Sequence, residues 1–350
     1  MGKIKVLIVG GYGSVGRNIA KSLVSKYHVI IAGRNINKAK ALKDELGRNA
    51  EAIELDVTKK DYDKSIFKYV KYVIMCLDLV DNTFLETCIK NKINYIDITA
   101  SYEVMKRLYT LKDKVIENKV NLILSVGLAP GLTNLLVKKV KSYFDQIKRM
   151  DIYIMLGSGE KHGKAAILYM LDNMTKKYFI RENGKNLEVK SFGEKKNTIF
   201  PNRIGKRKVY RYPISDQMTL PFTQNLGSIS TWVCLDSKIM TKLLSLIKPF
   251  TKLTKIRKFL YLVFNLINIG SEAYYVKVEG KGLKNDDEKT ISLYIHGNTQ
   301  SKGTAQVTTA VLDLLQDTKI DPGIYHLDQF LEIEKILDKL NGEIILGKIV

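Results

Sequence analysis

Cysteine, histidine and tryptophan are scarce in this 350-residue chain, at three, four and one residues. Cys76, Cys88 and Cys234 are scattered and form no Cys-x-x-Cys pair. That spacing excludes a disulfide framework and a thiolate zinc site, and it fits the reducing cytoplasm. His28, His296 and His326 have no acidic or cysteine partner at ligand spacing, so no metal is expected. The chain also lacks a membrane-length apolar run. Its longest such stretch, Phe259 to Ile269, contains two asparagines and is read as a core helix. A strand pattern starts within four residues of Met1, so no secretory leader is expected. No internal repeat or low-complexity linker is present. Carboxylates are in short supply as well: 36 Asp and Glu stand against 57 Lys and Arg, for a formal charge of +21.

That charge is spread through every segment, mostly as lysine, which argues against a nucleic-acid stripe and for solvated helix faces. Two clusters are dense. Arg203 to Arg211 sits beside aromatics and suits a carboxylate-rich substrate, with Arg203, Arg207 and Arg211 as the guanidinium donors. Lys238 to Lys258 leads into the apolar stretch and suits a membrane surface. A solvated face is the alternative for both. A composition 45% hydrophobic and 27% charged is that of a globular protein, and the length suits two domains.

What the chain does contain is a phosphate loop. The apolar run Val6–Val9 enters Gly10-Gly11-x-Gly13-x-x-Gly16, and helical periodicity begins at Ser14 and Val15. A second strand follows at 28–33, the context that gives G-x-G-x-x-G its meaning. Gly11 permits the tight turn, Gly13 lets the backbone approach a pyrophosphate, and Gly16 lets helix and strand pack closely. The N–H groups of the first helical turn then face the phosphates. At the end of the second strand an NAD site usually carries an acidic residue for the ribose 2′-OH. Here Gly33-Arg34-Asn35 stands instead, and the next carboxylate is Asp44. Gly33 is expected to leave room for a larger group and Arg34 to bind a 2′-phosphate, so NADP(H) is read over NAD(H).

Strands are predicted at 4–10, 28–33, 51–55, 71–77, 94–98 and 121–126. Helices are predicted at 14–25, 37–46, 60–67, 81–91 and 102–118. Alternation of this kind specifies an α/β fold with a doubly wound parallel sheet. Asp56 and Val57 end the third strand beside the expected adenosine, and Leu77 and Asp78 end the fourth, where the nicotinamide half crosses. From about residue 148 the pattern turns to long antiparallel strands with few helices, and 178–212 is rich in hairpin signals such as Asn183-Gly184. A second α+β domain with a mixed open sheet is expected. The division is predicted as 1–127 with 300–350 for the dinucleotide domain, and 128–299 for a substrate-binding and dimerisation domain.

The chain resembles the saccharopine dehydrogenase-like reductases, the group with saccharopine reductase, lysine dehydrogenase and carboxynorspermidine dehydrogenase. The resemblance is carried by Val9–Gly16, Ala32-Gly33-Arg34, Tyr95–Tyr102, Gly127–Asn134, Gly303-Thr304-Ala305 and Pro322–Phe330. It implies hydride transfer between a nicotinamide and a carbon bonded to nitrogen. It also implies that Tyr102, matching a tyrosine at the family's substrate, is catalytic. Asp97 and Tyr102 flank the end of the fifth strand, where ligands sit in such sheets. His162, in a glycine-rich loop, is a further candidate that would titrate near neutral pH. The pattern departs at Ala129, where saccharopine reductases carry an aspartate; alanine can neither position nor deprotonate a cationic amine. The expected function is therefore an NADP(H)-dependent oxidoreductase acting on a small amino acid or imine other than saccharopine. The alternatives are an enoyl reductase on a lipid-like or carrier-bound intermediate, and a non-catalytic dinucleotide sensor.

Overall fold

The computed structural model describes residues 3–59, 63–160, 164–201, 204–251, 253, 260, 270–340 and 342–349. Its first six strands are β1 (Lys5–Val9), β2 (His28–Gly33), β3 (Ala50–Glu54), β4 (Val70–Met75), β5 (Asn94–Asp97) and β6 (Asn121–Leu124). The next six are β7 (Gln146–Leu156), β8 (Lys177–Glu182), β9 (Lys185–Lys190), β10 (Lys195–Phe200), β11 (Gly205–Arg211) and β12 (Ile229–Leu235). The last are β13 (Ala273–Lys284), β14 (Asp287–Asn298), β15 (Gly323–His326) and β16 (Ile345–Ile349). The chain divides into two compact units, Met1–Leu132 with Thr304–Leu331, and Thr133–Gly303 with Glu332–Val350.

The first unit is a parallel sheet in the order β15-β6-β5-β4-β1-β2-β3. Val6 to Val9 and Val73 to Met75 are wholly buried, as strands covered on both faces must be. Helix α1 (Ser14–Leu23) supplies Ile19, Ala20 and Leu23 to one side, and α2 (Ile36–Leu46) supplies Ala39 and Leu42. Strand order reverses at β1, so the crevice outside the carboxyl ends of β1 and β4 is where such a sheet takes its ligand. The seventh strand joins through two asparagines at strand starts. Asn94 Oδ1 accepts from the Asn121 N–H at 2.9 Å, and Asn121 Oδ1 accepts from the Gly323 N–H at 3.1 Å.

Two local predictions are corrected here. The helix predicted over 102–118 is α4 (Tyr102–Tyr109) and α5 (Lys112–Glu117), with Thr110 between them. The Thr110 hydroxyl donates to the Arg107 carbonyl at 2.7 Å and competes with helix propagation. Of the helix predicted at 60–67, only a 3-10 turn at Lys64–Phe67 lies among the described residues, started by Asp63 capping the Ser65 N–H at 2.8 Å.

The second unit is a mixed sheet in the order β10-β11-β12-β7-β13-β14-β16, in which only β12 and β7 run parallel. Helix α6 (Thr133–Lys141) covers one face. Gly280 permits the close approach there, since a Cβ would stand 2.8 Å from both Val140 and Phe144. The sheet curls, so β10 reaches across the opposite face to β7 and β13. Lys196 Nζ meets Asp151 Oδ2 at 2.9 Å, and Lys277 Nζ donates to Thr198 Oγ1 at 2.9 Å. Lys196 lies over both the Trp232 and Tyr153 rings, an arrangement that surrounds a half-buried cation with π faces and carboxylate. Asn183 and Gly184, at φ 48° and 73°, form the expected two-residue turn of the β8–β9 hairpin.

Of residues 300–350, predicted as part of the first domain, Thr304–Leu331 lie in the first unit and the rest in the second. Beyond Leu331, β16 pairs with β14, while Lys138–Glu332 and Lys139–Glu334 ion pairs at 2.6 Å tie the segment to α6. Edge pairing in β14 overrides sequence proximity to β15.

Candidate dinucleotide and reaction site

Gly10 sits at φ +77°, and the Gly10 and Gly11 N–H groups both donate to the Ala32 carbonyl, at 2.9 and 3.1 Å. The loop is thus hung from the end of β2. A Cβ at Gly11 would stand 2.9 Å from the Ile8 carbonyl oxygen, and one at Gly16 only 2.4 Å from that of Gly10. These two glycines are structural. Gly13 differs: its Cβ position meets nothing but the Gly10 carbonyl at 3.1 Å, and the residue is exposed. It is the N-cap of α1 and has no capping side chain, so the first-turn N–H groups of Ser14, Val15 and Gly16 have no side-chain cap. No acidic residue occupies that turn. A pyrophosphate fits this cradle in both space and charge.

The end of β2 differs from expectation. Gly33 does not leave open room, because a Cβ there would lie 2.5–2.9 Å from the Tyr12 ring and hydroxyl. Tyr12 reaches over from the glycine loop, and its oxygen accepts the Asn35 N–H at 3.0 Å. Sequence spacing does not reveal this contact, since the two residues meet only when the loop and strand end are superposed. Arg34 is exposed beside it. Asp56 is held below the usual carboxylate range by hydrogen bonds from Thr58, with Arg34 contributing. Gly33→Ala is therefore expected to push the Tyr12 ring aside and weaken NADPH binding about tenfold, the loss of one hydrogen bond's worth of order. In a Tyr12→Ala background the same change should be neutral. Fluorescence titration of the four proteins measures this coupling.

Leu77 leans on the loop, its Cγ 3.0 Å from the Cβ position of Gly10. Next to it, the exposed Asp78 accepts from the Thr99 hydroxyl, while Val57 packs on the core. Asp97, fully buried at the end of β5, accepts from the Thr99 N–H at 2.7 Å and the Tyr95 hydroxyl at 2.8 Å. Burial pushes Asp97 up to about 7, against the pull of those two donors. Tyr102 is half-buried at the first turn of α4; burial raises its phenol, which stays protonated, and Lys106 Nζ lies 5.5 Å from its ring centroid. Ala129 is half-buried in the turn after β6, between Leu128 and Pro130.

One constellation was not foreseen from the sequence. His326 is buried, with Nδ1 2.7 Å from Ser125 Oγ and Nε2 2.6 Å from the Tyr109 hydroxyl. It joins the end of β15 to α4 and to the turn that carries Ala129. Burial lowers it to about 4, so it is neutral at physiological pH. Arg211, by contrast, is consumed by the second unit: Ser230, Glu194 and the Trp232 ring hold it. Arg207 donates to the Ile204 carbonyl at 2.7 Å. His162, Arg203 and most of the apolar stretch 259–269 lie outside the described residues.

Asp97 and His326 pull stability in opposite directions with pH. The folded chain holds the Asp97 proton up to about 7 from an ordinary 3.8, so that contribution is full below about pH 4 and is lost as pH rises through 7. The His326 contribution is full above 6.5 and is lost as pH falls through 4. Asp97→Asn keeps an acceptor for the Thr99 N–H. It is expected to melt higher than the parent at pH 8, by on the order of 2 kcal/mol, and to lose that gain at pH 5. Thermal melts at the two pH values check it; an equal gain at both would assign the effect to packing.

Residues 6–123 match the family model for the saccharopine dehydrogenase NADP binding domain. A comparison with curated protein sequences finds no match. Among solved structures, apo saccharopine dehydrogenase (L-Glu forming) from Saccharomyces cerevisiae superposes with a TM-score of 0.69 at 13% identity, covering 100% of both chains. The C. glutamicum DAP dehydrogenase in complex with DAP gives 0.48 at 12% identity, covering 97% of this chain and 99% of that one. Escherichia coli serine dehydrogenase gives 0.28 at 15% identity, covering 36% of this chain and 85% of that one. The chain therefore has the saccharopine dehydrogenase fold along its length, and its residues 6–123 are similar to that family's NADP binding domain.

Proposed function

We propose that the chain oxidises or reduces a carbon–nitrogen bond in a small amino-acid-derived substrate, an amine or its imine, with NADP(H). The observation that carries this reading is the uncapped cradle at Gly13–Gly16 with Arg34 beside it, on a chain whose fold matches saccharopine dehydrogenase end to end. Bound NADP(H) supplies or accepts the hydride. The N–H groups of Ser14, Val15 and Gly16 hold the pyrophosphate, Arg34 holds the 2′-phosphate, and Asp56 and Val57 border the adenosine. Leu77 and Asp78 border the nicotinamide half. Tyr102, kept protonated by burial, donates to the reacting nitrogen, and Asp97, enclosed between Tyr95 and Thr99, fixes the turn after β5 that leads to it.

Ala129 offers no carboxylate to a substrate amine, which supports a smaller or less cationic substrate than saccharopine. Cytoplasmic residence and a homodimer belong to the same reading, and sizing of the purified chain tests the second. The decisive experiment follows hydride exchange from labelled NADPH into a panel of imines, amino acids and enoyl thioesters. Turnover of a small imine, lowered about a hundredfold in Tyr102→Phe, is expected. Turnover of enoyl thioesters alone would replace the substrate class, and NADPH binding without any exchange would leave a sensor. Full activity in Tyr102→Phe would return that residue to packing.

A further inference from the structure

The outward face of helix α9 (Lys238–Ile247) carries apolar side chains where a surface helix normally carries polar ones. Ile239 is 79% exposed, Leu246 62% and Leu243 46%, all on one side of the helix. Phe250 and Leu253 extend the patch beyond its end, at 52% and 55% exposure. The opposite side is fixed to the protein. Thr241 Oγ1 accepts from the Leu235 N–H at 3.0 Å, Leu244 is buried, and the Tyr210 hydroxyl donates to Ser245 Oγ at 3.2 Å. Lys248 Nζ donates to the Phe192 carbonyl at 2.6 Å. The apolar stripe therefore does not face outward through a loose helix that could roll over; four contacts set its orientation.

Charge identifies the occupant. Lys238 and Lys242 are exposed beside the stripe, one turn apart. From Ser237 to Ser271 the sequence has six lysines, one arginine and no aspartate or glutamate. An exposed apolar stripe flanked by lysines matches an anionic lipid surface. The hydrocarbon side chains enter the interface and the ammonium groups meet the headgroups. A second copy fits poorly, because a two-fold contact would set the same lysines opposite one another. None of the described helices is long and apolar enough to cross a membrane, so the contact is peripheral.

We propose that α9 docks the protein on an anionic bilayer through Ile239, Leu243 and Leu246, with Lys238 and Lys242 on the headgroups. None of these residues belongs to the dinucleotide site, so the proposal stands apart from the reading of the reaction. The test uses the full chain and flotation with phosphatidylcholine vesicles, with or without phosphatidylserine. Binding is expected only to the anionic vesicles, falling as salt is raised. The double variant Leu243→Glu, Leu246→Glu should lower the bound fraction at least tenfold, and Lys238→Gln with Lys242→Gln should weaken it at low salt. NADPH binding unchanged from the parent reports that each variant is folded. The proposal is overturned if the parent stays unbound with anionic vesicles, or if the apolar-to-Glu variant floats like the parent. It is equally overturned if that variant changes the oligomer's elution while the parent ignores vesicles, since the face would then be a contact between copies.

Discussion

Gly13→Val is expected to lower NADPH affinity by about a hundredfold or more while melting close to the parent, because the backbone there accepts any residue and the lost space belongs to the ligand. Its φ of −69° and ψ of 172° are ordinary extended values, and a Cβ meets only the Gly10 carbonyl at 3.1 Å. A branched side chain at this N-cap stands over the free N–H groups of the first turn, where the pyrophosphate oxygens must come within hydrogen-bond distance. Gly16→Val makes the opposite control. Its Cβ would lie 2.4 Å from the Gly10 carbonyl and 2.8 Å from the Gly11 Cα, both backbone atoms, so that variant is expected to disrupt the fold as well as the site. Calorimetric titration with NADPH, paired with thermal melts, separates the two. Unchanged affinity in Gly13→Val would move the dinucleotide elsewhere.

Arg34→Ala should cost NADPH binding about 1.5–3 kcal/mol, the range for hydrogen bonds to a charged group, and leave NADH nearly untouched. The guanidinium is exposed at the end of β2, and Asp56 is the charged neighbour that feels it. A 2′-phosphate brings more charge than that carboxylate and matches the planar fork, so the group should turn toward the ligand when NADPH binds. Titrations of parent and variant with both cofactors decide it. Equal losses for NADPH and NADH would mean Arg34 acts on the adenosine face alone, and a parent that prefers NADH would overturn the assignment.

Much of the first unit was legible in the sequence because its signals are local. Buried parallel strands read as apolar runs such as Val6–Val9 and Val73–Met75, and the glycines at 11, 13 and 16 fall at fixed offsets from one strand end. The Asn183-Gly184 hairpin was legible for the same reason, since φ above zero at two successive positions selects those residues. The joint between the units was harder. β16 comes after β15 in the chain yet pairs with β14, and nothing in its own pattern names that edge.

The sequence alone determined the alternating α/β plan, the phosphate loop, the absence of an acid at the end of β2 and the presence of Arg34 there. Each depends on residue type and short-range spacing. Tertiary structure decided which groups share an environment. It placed the Tyr12 ring over Gly33, raised Asp97 toward neutrality between Tyr95 and Thr99, and closed Tyr109, His326 and Ser125 into one hydrogen-bonded chain. It also turned α9 so that its apolar side faces out, a matter settled by Thr241, Leu244, Ser245 and Lys248 on the other side. Burial, charge and contact are properties of distance in space, and residues 217 positions apart, as Tyr109 and His326 are, become neighbours only once the sheet is built.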